Sequence, residues 1–411
     1  MVGAFGAYFC MYAFRKPIAA LEFAGQELSV GGVELKTAFL IGQLLGYALS
    51  KYAGIIVCSS LSARYRARTL IASILVAELA LVAFAVVPVG WKVAAMFVNG
   101  LPLGIVWGLV VRYIEGRRVS DVLLAGLSAS FILASGVVKD TGRWMLSHGV
   151  AEVWVPAVTG ALFLLPFVFC VRLLEASPGP DPEDELARTQ RRAMTSSERR
   201  AFLARFGAAL LPLILVYMSL TAYRDFRDNY GTEIFRELGY LDLPMLFTRT
   251  ELPASVGVLV TLACLIFVRS HARALTLTYL LMAGGCLTLV LSSMLYQAQL
   301  IDGLRWMVVV GAGAYLVYVP VASVFFERLT AAGGSPGTAV FGIYLADALG
   351  YSGSVAVQLY RDLWARDVTR LAFFESLTWA VGLFGGVLIL VSGWVLHRTL
   401  VVQPDDDVSP G

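Results

Sequence analysis

Charge is what this sequence has least of. Only 15% of its 411 residues are Asp, Glu, Lys or Arg, where a soluble domain carries nearer a quarter. Histidines number three and cysteines five. The histidines (His148, His271, His397) are dispersed at the ends of apolar runs, without metal-ligand spacing. The cysteines (Cys10, Cys58, Cys170, Cys264, Cys286) all fall inside apolar runs. They form neither a C-x-x-C pair nor a disulfide framework and read as small buried hydrophobes. There is no G-x-S-x-G elbow and no P-loop, so neither serine hydrolysis nor ATP-driven pumping is supported. No catalytic residue, metal or cofactor is expected. A net charge of +3, with no basic patch interleaved with aromatics, gives no support to a nucleic-acid partner. A cleavable signal is also missing, because the N-terminus lacks a basic n-region and Arg15-Lys16 interrupts its apolar run. Met1 is followed at once by that run, so a short cytoplasmic leader ahead of it is an expectation.

What the chain has instead is apolar length. Hydrophobic residues make up 58% of it, and mean hydropathy is +0.75. Runs long enough to cross a hydrocarbon core of about 30 Å recur along most of the sequence. Spans are expected near 2–23, 36–60, 69–89, 92–113, 120–141, 153–174, 206–227, 252–269, 274–297, 304–327, 337–359 and 372–396. Between the sixth and seventh lies a stretch rich in Pro, Gly and charge, opening Ser177-Pro178-Gly179-Pro180 and continuing through Arg188, Arg191, Arg192, Arg199 and Arg200. It reads as a solvated linker. The expected class is therefore an all-α membrane protein of about twelve transmembrane helices in two pseudo-symmetric six-helix bundles. The expected domains are 1–175, a charged cytoplasmic linker 176–205, 206–398, and a cytoplasmic tail 399–411.

Arginines set the expected orientation. Arg64, Arg66 and Arg68, Arg117 and Arg118, the basic linker, Arg269 and Arg273, Arg328 and Arg398 all follow even-numbered spans. The positive-inside rule makes that side cytoplasmic, with both termini inside and the protein in the inner (plasma) membrane. The halves also echo each other in the same order. Phe14-Arg15 of span one matches Phe226-Arg227 of span seven. Tyr113-Ile114-Glu115-Gly116-Arg117 matches Phe325-Phe326-Glu327-Arg328, and Lys139-Asp140 of span five matches Arg361-Asp362 of span eleven. A two-fold-repeated transporter would show such order.

Charges inside spans are the candidates for function, since one deep in the bilayer costs at least ~2.5 kcal/mol and normally faces a wet cavity or a partner. Arg15 and Lys16 lie within the first span, although Lys16 also suits snorkelling to the interface. Span seven ends Tyr223-Arg224-Asp225-Phe226-Arg227-Asp228-Asn229-Tyr230, with Arg224 and Asp228 four residues apart on one helix face. That end is either an ion-paired helix terminus or a clamp on substrate. Arginines facing each other across a pore would suit a phosphate or carboxylate, which the guanidinium fork matches bidentately. Asp347 lies mid-way along span eleven as a proton carrier or an ion-pair partner. Tyr47, Trp107, Tyr315, Tyr318, Tyr344 and Tyr351 are candidates to line a cavity.

These features resemble the major facilitator superfamily and, within it, the organophosphate:phosphate antiporters. The likeness rests on Tyr12-x-x-Arg15-Lys16 in span one and Gly42-x-x-x-Gly46-Tyr47-Ala48-Leu49-Ser50-Lys51 in span two. It continues in Tyr318-Val319-Pro320 of span ten, and in Gly337-Thr338-Ala339 and Leu349-Gly350-Tyr351-Ser352-Gly353-Ser354 of span eleven. The resemblance implies a phosphate gripped by Arg15 from one half and by Arg224 or Arg227 from the other. A phosphate-binding histidine that it implies in span five has no counterpart in Ser128–Ser135, and the superfamily's loop after span two has arginines but no aspartate. The segment Arg224–Asn229 is also similar to an uncharacterised bacterial group of facilitator-like proteins.

The functional expectation is a secondary transporter, not an enzyme. It would move a small anionic solute by alternating access, with Arg15, Lys16, Tyr12, Arg224, Arg227, Tyr318 and Tyr344 toward substrate and Asp347 and Asp228 in coupling or ion pairing. The expected partners are that small molecule and the lipid bilayer, with the protein monomeric. The alternatives are a proton-coupled carrier of a neutral or cationic compound and a non-transporting receptor of the same fold.

Overall fold

The computed structural model describes residues 2–23, 29–30, 32–114, 120–177, 196–268, 270–332 and 340–401. Arg117 and Arg118, the linker residues 178–195, Arg269, Gly337-Thr338-Ala339 and the tail from 402 lie outside the described residues, as does the side chain of Tyr344.

Lipid cannot hydrogen-bond an exposed peptide group, so a spanning segment satisfies its backbone internally, as helix. The described chain is accordingly almost all helical. In the first half come α1 (Val2–Met11), α2 (Leu35–Ser60), α3 (Ala63–Val86), α4 (Val89–Leu103), α5 (Val106–Ile114), α6 (Ser120–Ser147) and α7 (Val155–Glu175). In the second come α8 (Ser196–Asn229), α9 (Gly231–Glu237), α10 (Leu246–Ile266), α11 (His271–Gln297), α12 (Gly303–Pro320), α13 (Phe326–Ala332), α14 (Val340–Trp364) and α15 (Arg370–Val401). Helices stand at each of the expected spans, α4 with α5 forming span four. Among the described residues, seven stretches are long and apolar enough to cross a membrane on length and hydropathy alone. A small antiparallel hairpin, β1 (Ser29–Val30) and β2 (Val33–Glu34), precedes α2, with Gly32 at φ +83° in its turn.

Span one departs from the continuous helix expected over 2–23. α1 stops at Met11, a 3₁₀ turn covers Tyr12–Phe14, and a second covers Pro17–Ala20. Pro17 explains the break, since it has no N–H to donate and restricts the residue before it. Arg15 and Lys16 sit in the joint, their N–H groups both donating to the Tyr12 carbonyl. Span ten is interrupted similarly, because α12 passes through a π-helical turn at Val321–Phe325, directly after Pro320, before α13. Arg200 and Arg205, the last arginines within the expected linker, lie in the first turns of α8.

The chain divides into two compact units. Unit 1 comprises Met1–Arg188, Arg224–Leu259 and Ser354–Phe374, and unit 2 comprises Thr189–Tyr223, Val260–Gly353 and Glu375–Gly411. In unit 1, Phe23, Phe39 and Phe84 stack edge-on within 6.3 Å. α2 and α4 approach through Gly46 and Gly100, where an added Cβ would fall 2.1 Å from a facing carbonyl. Small residues permit such contact in a solvent that gives helices no hydrophobic reason to associate. Unit 2 packs around Trp306, fully buried and stacked on Tyr296 at 4.7 Å. The Trp306 indole N–H donates to Ser293 Oγ.

A buried charge cluster as candidate functional site

The break in span one frees backbone groups and places two cations in the interior of unit 1. Arg15 and Lys16 are both buried. Asn99 of α4 answers the break, its Nδ2 donating to the Phe14 carbonyl at 3.1 Å and to the Ala77 carbonyl at 2.9 Å. Its Oδ1 accepts from Gln43 of α2 at 2.6 Å. An amide that reaches three elements fixes the joint more firmly than packing alone would.

Lys16 meets the end of α8. Its ammonium donates to Asn229 Oδ1 at 3.0 Å and pairs with Asp228 Oδ2. Asp228 Oδ1 in turn pairs with Lys139 of α6 at 2.6 Å and accepts from Ser135 Oγ at 2.5 Å. One carboxylate therefore joins three helical segments. Arg224 pairs with the adjacent Asp225 at 3.0 Å, and Asp225 Oδ2 accepts from Ser354 of α14 at 2.9 Å. The Arg15 guanidinium lies 4.0 Å from the centre of the Tyr47 ring, a stacking that Lys does poorly. Lys51 lies 5.5 Å from the same ring. Tyr12 packs edge-on against Tyr8, and Tyr8 against Trp107. Arg15, Lys16 and Arg224 all stand within electrostatic range of Asp225. Four bases (Arg15, Lys16, Lys139, Arg224) thus gather around Asp225 and Asp228 among the described residues.

Arg227 goes elsewhere. It pairs with Glu251 of α10 at 2.5 Å, both side chains no more than 4% exposed. Arg224 retains 14% exposure. Tyr318 and Asp347 belong to unit 2, where Tyr217 donates to Asp347 Oδ1 at 2.7 Å and stacks on Tyr318 at 4.8 Å.

A second set of charges ties helix ends in unit 1. Asp140, at the end of span five, accepts from the N–H groups of Phe247 and Thr248 at 3.1 and 2.7 Å, which open α10. Asp362, at the end of span eleven, accepts from the Glu34 N–H at 3.1 Å, just before α2. Each carboxylate meets the donor end of a helix, where unsatisfied N–H groups and the dipole favour an anion. Their neighbours also act alike, Lys139 pairing with Asp228, while Arg361 pairs with Glu34 and Asp362. Arg370 adds contacts to Glu34 at 2.6 Å and Asp362 at 3.0 Å. Glu34 lies outside the spans. Burial alone would raise its carboxyl, but the guanidiniums of Arg370 and Arg361 outweigh it and hold the group below its ordinary value.

In the sequence, Lys139 and Arg361 stand out only as echoes between the halves, and the expected site includes neither Asn99, Asn229 nor Glu251. The available signal was polarity within an apolar run, which Asn99 and Lys139 both show. Their partners are 85 and 89 residues distant, and no local pattern names them.

Solved structures place the fold. The D-xylose-proton symporter superposes with TM-score 0.61 at 15% identity, covering 94% of this chain and 95% of that one. A bacterial homolog of the human lysosomal transporter Spinster, inward-facing and unoccupied, gives 0.61 at 12% identity over 100% and 98%. A POT family transporter in complex with 5-aminolevulinic acid gives 0.61 at 12% over 98% and 96%. The chain thus has the all-α membrane fold of major facilitator transporters. No curated protein matches the sequence. Residues 17–399 match the family of unknown function DUF5690, and the chain belongs to that family.

Proposed function

We propose that this chain is a secondary transporter of a small organic anion, organophosphate- or carboxylate-like, working by alternating access in the inner membrane with both termini cytoplasmic. The observation that carries the reading is the convergence of base in the buried cluster, where Arg15, Lys16, Lys139 and Arg224 gather around Asp225 and Asp228. An anion entering there would take over partners the aspartates now hold. Arg15 and Arg224 are the two guanidiniums that would grip it, with Tyr12 and Lys16 beside them, and Arg227 stays with Glu251. The overall fold supports transport, and the neighbours named above are themselves transporters, one of them a symporter of D-xylose and protons. On this reading residues 1–175 and 206–398 act as two six-helix bundles. The caps of Asp140 on α10 and Asp362 on α2 then break and reform as the carrier cycles.

The Tyr217–Asp347 pair, stacked on Tyr318, favours a second reading, in which Asp347 carries a proton and the cargo is neutral or cationic. One experiment separates the two. The full-length protein in detergent is melted with inorganic phosphate, a sugar phosphate, a dicarboxylate and a neutral sugar, for wild type, Arg15→Ala and Asp347→Asn. Ligand at a hundredfold excess over its dissociation constant adds about 2.7 kcal/mol to stability. The anion reading expects an anion to stabilise wild type and Asp347→Asn but not Arg15→Ala. Stabilisation by the neutral sugar alone, or anion stabilisation intact in Arg15→Ala, would overturn it.

A further inference from the structure

Glu78 is a charge that the site above does not use. It lies on α3 eight residues before the helix ends at Val86, about 12 Å along the axis at 1.5 Å per residue, within the apolar span. Its Oε2 is buried and has no hydrogen-bond partner, and Glu78 makes no ion pair with any described residue. The carboxyl lies against the backbone of Gly160 in α7, where an added Cβ would fall 2.1 Å from Oε2 and 3.0 Å from Phe14 Cδ1. Gly160 is thus the space that the carboxyl fills. Phe14 is fully buried and is the last residue before the Arg15-Lys16 joint. Ala77, the neighbour of Glu78, offers the carbonyl that Asn99 binds together with that of Phe14.

The charged and titratable groups on the elements around α3 are engaged elsewhere. Lys92 of α4 donates to the Phe84 and Ala85 carbonyls. Glu152 accepts from the Glu22 and Phe23 N–H groups. On α7, Arg172 pairs with Glu175, and Cys170 is a buried thiol. Arg66 of α3 donates to the carbonyl of Arg112 on α5 and lies over the Tyr113 ring. Arg64 lies over Tyr65, and Arg68 belongs to the same first turns of α3. Tyr12 packs on Tyr8. Glu78 as a whole is half-buried, but an ionised carboxylate would leave Oε2 in a place that lacks both the donors and the cation that offset desolvation, and intramembrane carboxyls of this kind serve proton relays.

We propose that Glu78 is a proton-binding site coupled to the break in span one. With the proton bound, the neutral acid rests between Gly160 and Phe14. When the proton leaves, the carboxylate must withdraw toward donors, which removes the support beneath Phe14 and loosens the segment that carries Arg15 and Lys16. The ligand is the proton itself, so the inference stands whatever the cargo.

The test uses the full chain in detergent without substrate. N,N′-dicyclohexylcarbodiimide reacts with protonated carboxyls in apolar sites, and peptide mapping by mass spectrometry locates the adduct. The expectation is an adduct on Glu78 that falls severalfold as pH rises from mildly acidic to mildly alkaline, because only the protonated carboxyl reacts. It should be absent from Glu78→Gln and unchanged in Asp347→Asn. Hydrogen exchange of residues 12–20, corrected for the intrinsic pH effect, should rise over the same range in wild type and stay level in Glu78→Gln. No adduct on Glu78, an adduct insensitive to pH, or exchange that changes equally in both proteins would overturn the proposal. Wild-type labelling decides the site even if the glutamine variant folds poorly.

Discussion

The two units bury polarity in different ways. Every buried Asp, Glu, Lys or Arg among the described residues lies in unit 1, from Arg15 and Lys16 to Arg361, Asp362 and Arg370. The buried polar residues of unit 2 that are described are all serines and threonines, such as Thr221, Thr278, Ser292 and Thr330. The difference is one of reach. A helical hydroxyl can satisfy itself on its own helix, as Thr278 and Thr330 do by donating to the carbonyl four residues back. A buried ion has no such local answer and must find a partner on another element. Unit 1 is therefore cross-linked by charge, and unit 2 is held by packing and by neutral hydrogen bonds such as that of Ser392 to the Ala209 carbonyl. Loss of a single group should propagate in the first and stay local in the second.

The largest test of that contrast is Asp228→Ala. It leaves Lys16 and Lys139 buried without their shared carboxylate, and breaking a buried pair costs about 3–5 kcal/mol. The melting temperature in detergent should fall sharply, and Asp228→Ala combined with Lys139→Met should recover part of the loss. A variant that melts like wild type would mean that the cluster does not hold unit 1 together.

Acid sharpens the comparison at the edge of the same unit. Glu34 has its carboxyl held below the ordinary value by Arg370 and Arg361, so its stabilisation is present above the ordinary carboxylate range and is lost as pH falls through the depressed value. The gap in melting temperature between wild type and Glu34→Gln should be widest near neutrality and close below a pH of about 4. The effect should be modest, because the Glu34 side chain is 56% exposed and solvent screens it. A gap that is flat with pH would assign the loss to packing.

The smallest effect is expected in unit 2. Thr278→Ala removes a hydroxyl that serves only its own helix, and stability should move by less than about 1 kcal/mol, as for an ordinary intramolecular hydrogen bond. A loss as large as that of Asp228→Ala would erase the distinction between the units.

Much of this was open to reading in the chain itself. The spans, their order and the intramembrane position of Arg15 and Lys16 follow from the lipid solvent, which demands long apolar runs and makes any charge within them conspicuous. The echo of Lys139-Asp140 in Arg361-Asp362 was visible too, though not its meaning as a pair of helix-end clamps. Pro17 marked the break in span one, and the apolar composition around it still read as a continuous helix. Glu78 carried no local mark beyond being acidic in an apolar run.

The partition of partners was decided only in three dimensions. Arg224 and Arg227 are equivalent in sequence, but three residues turn a helix by about 300°, so they leave α8 in directions about 60° apart. One meets Glu251 and the other stays beside Asp225. Likewise Asp228 stands four residues after Arg224 on one helix, and its two lysine partners come from Lys16 and Lys139 on other elements. Hydropathy is a property of local runs and can be summed along the chain. The pairing of buried charges depends on which helix faces meet, and that is settled by packing among segments far apart in sequence.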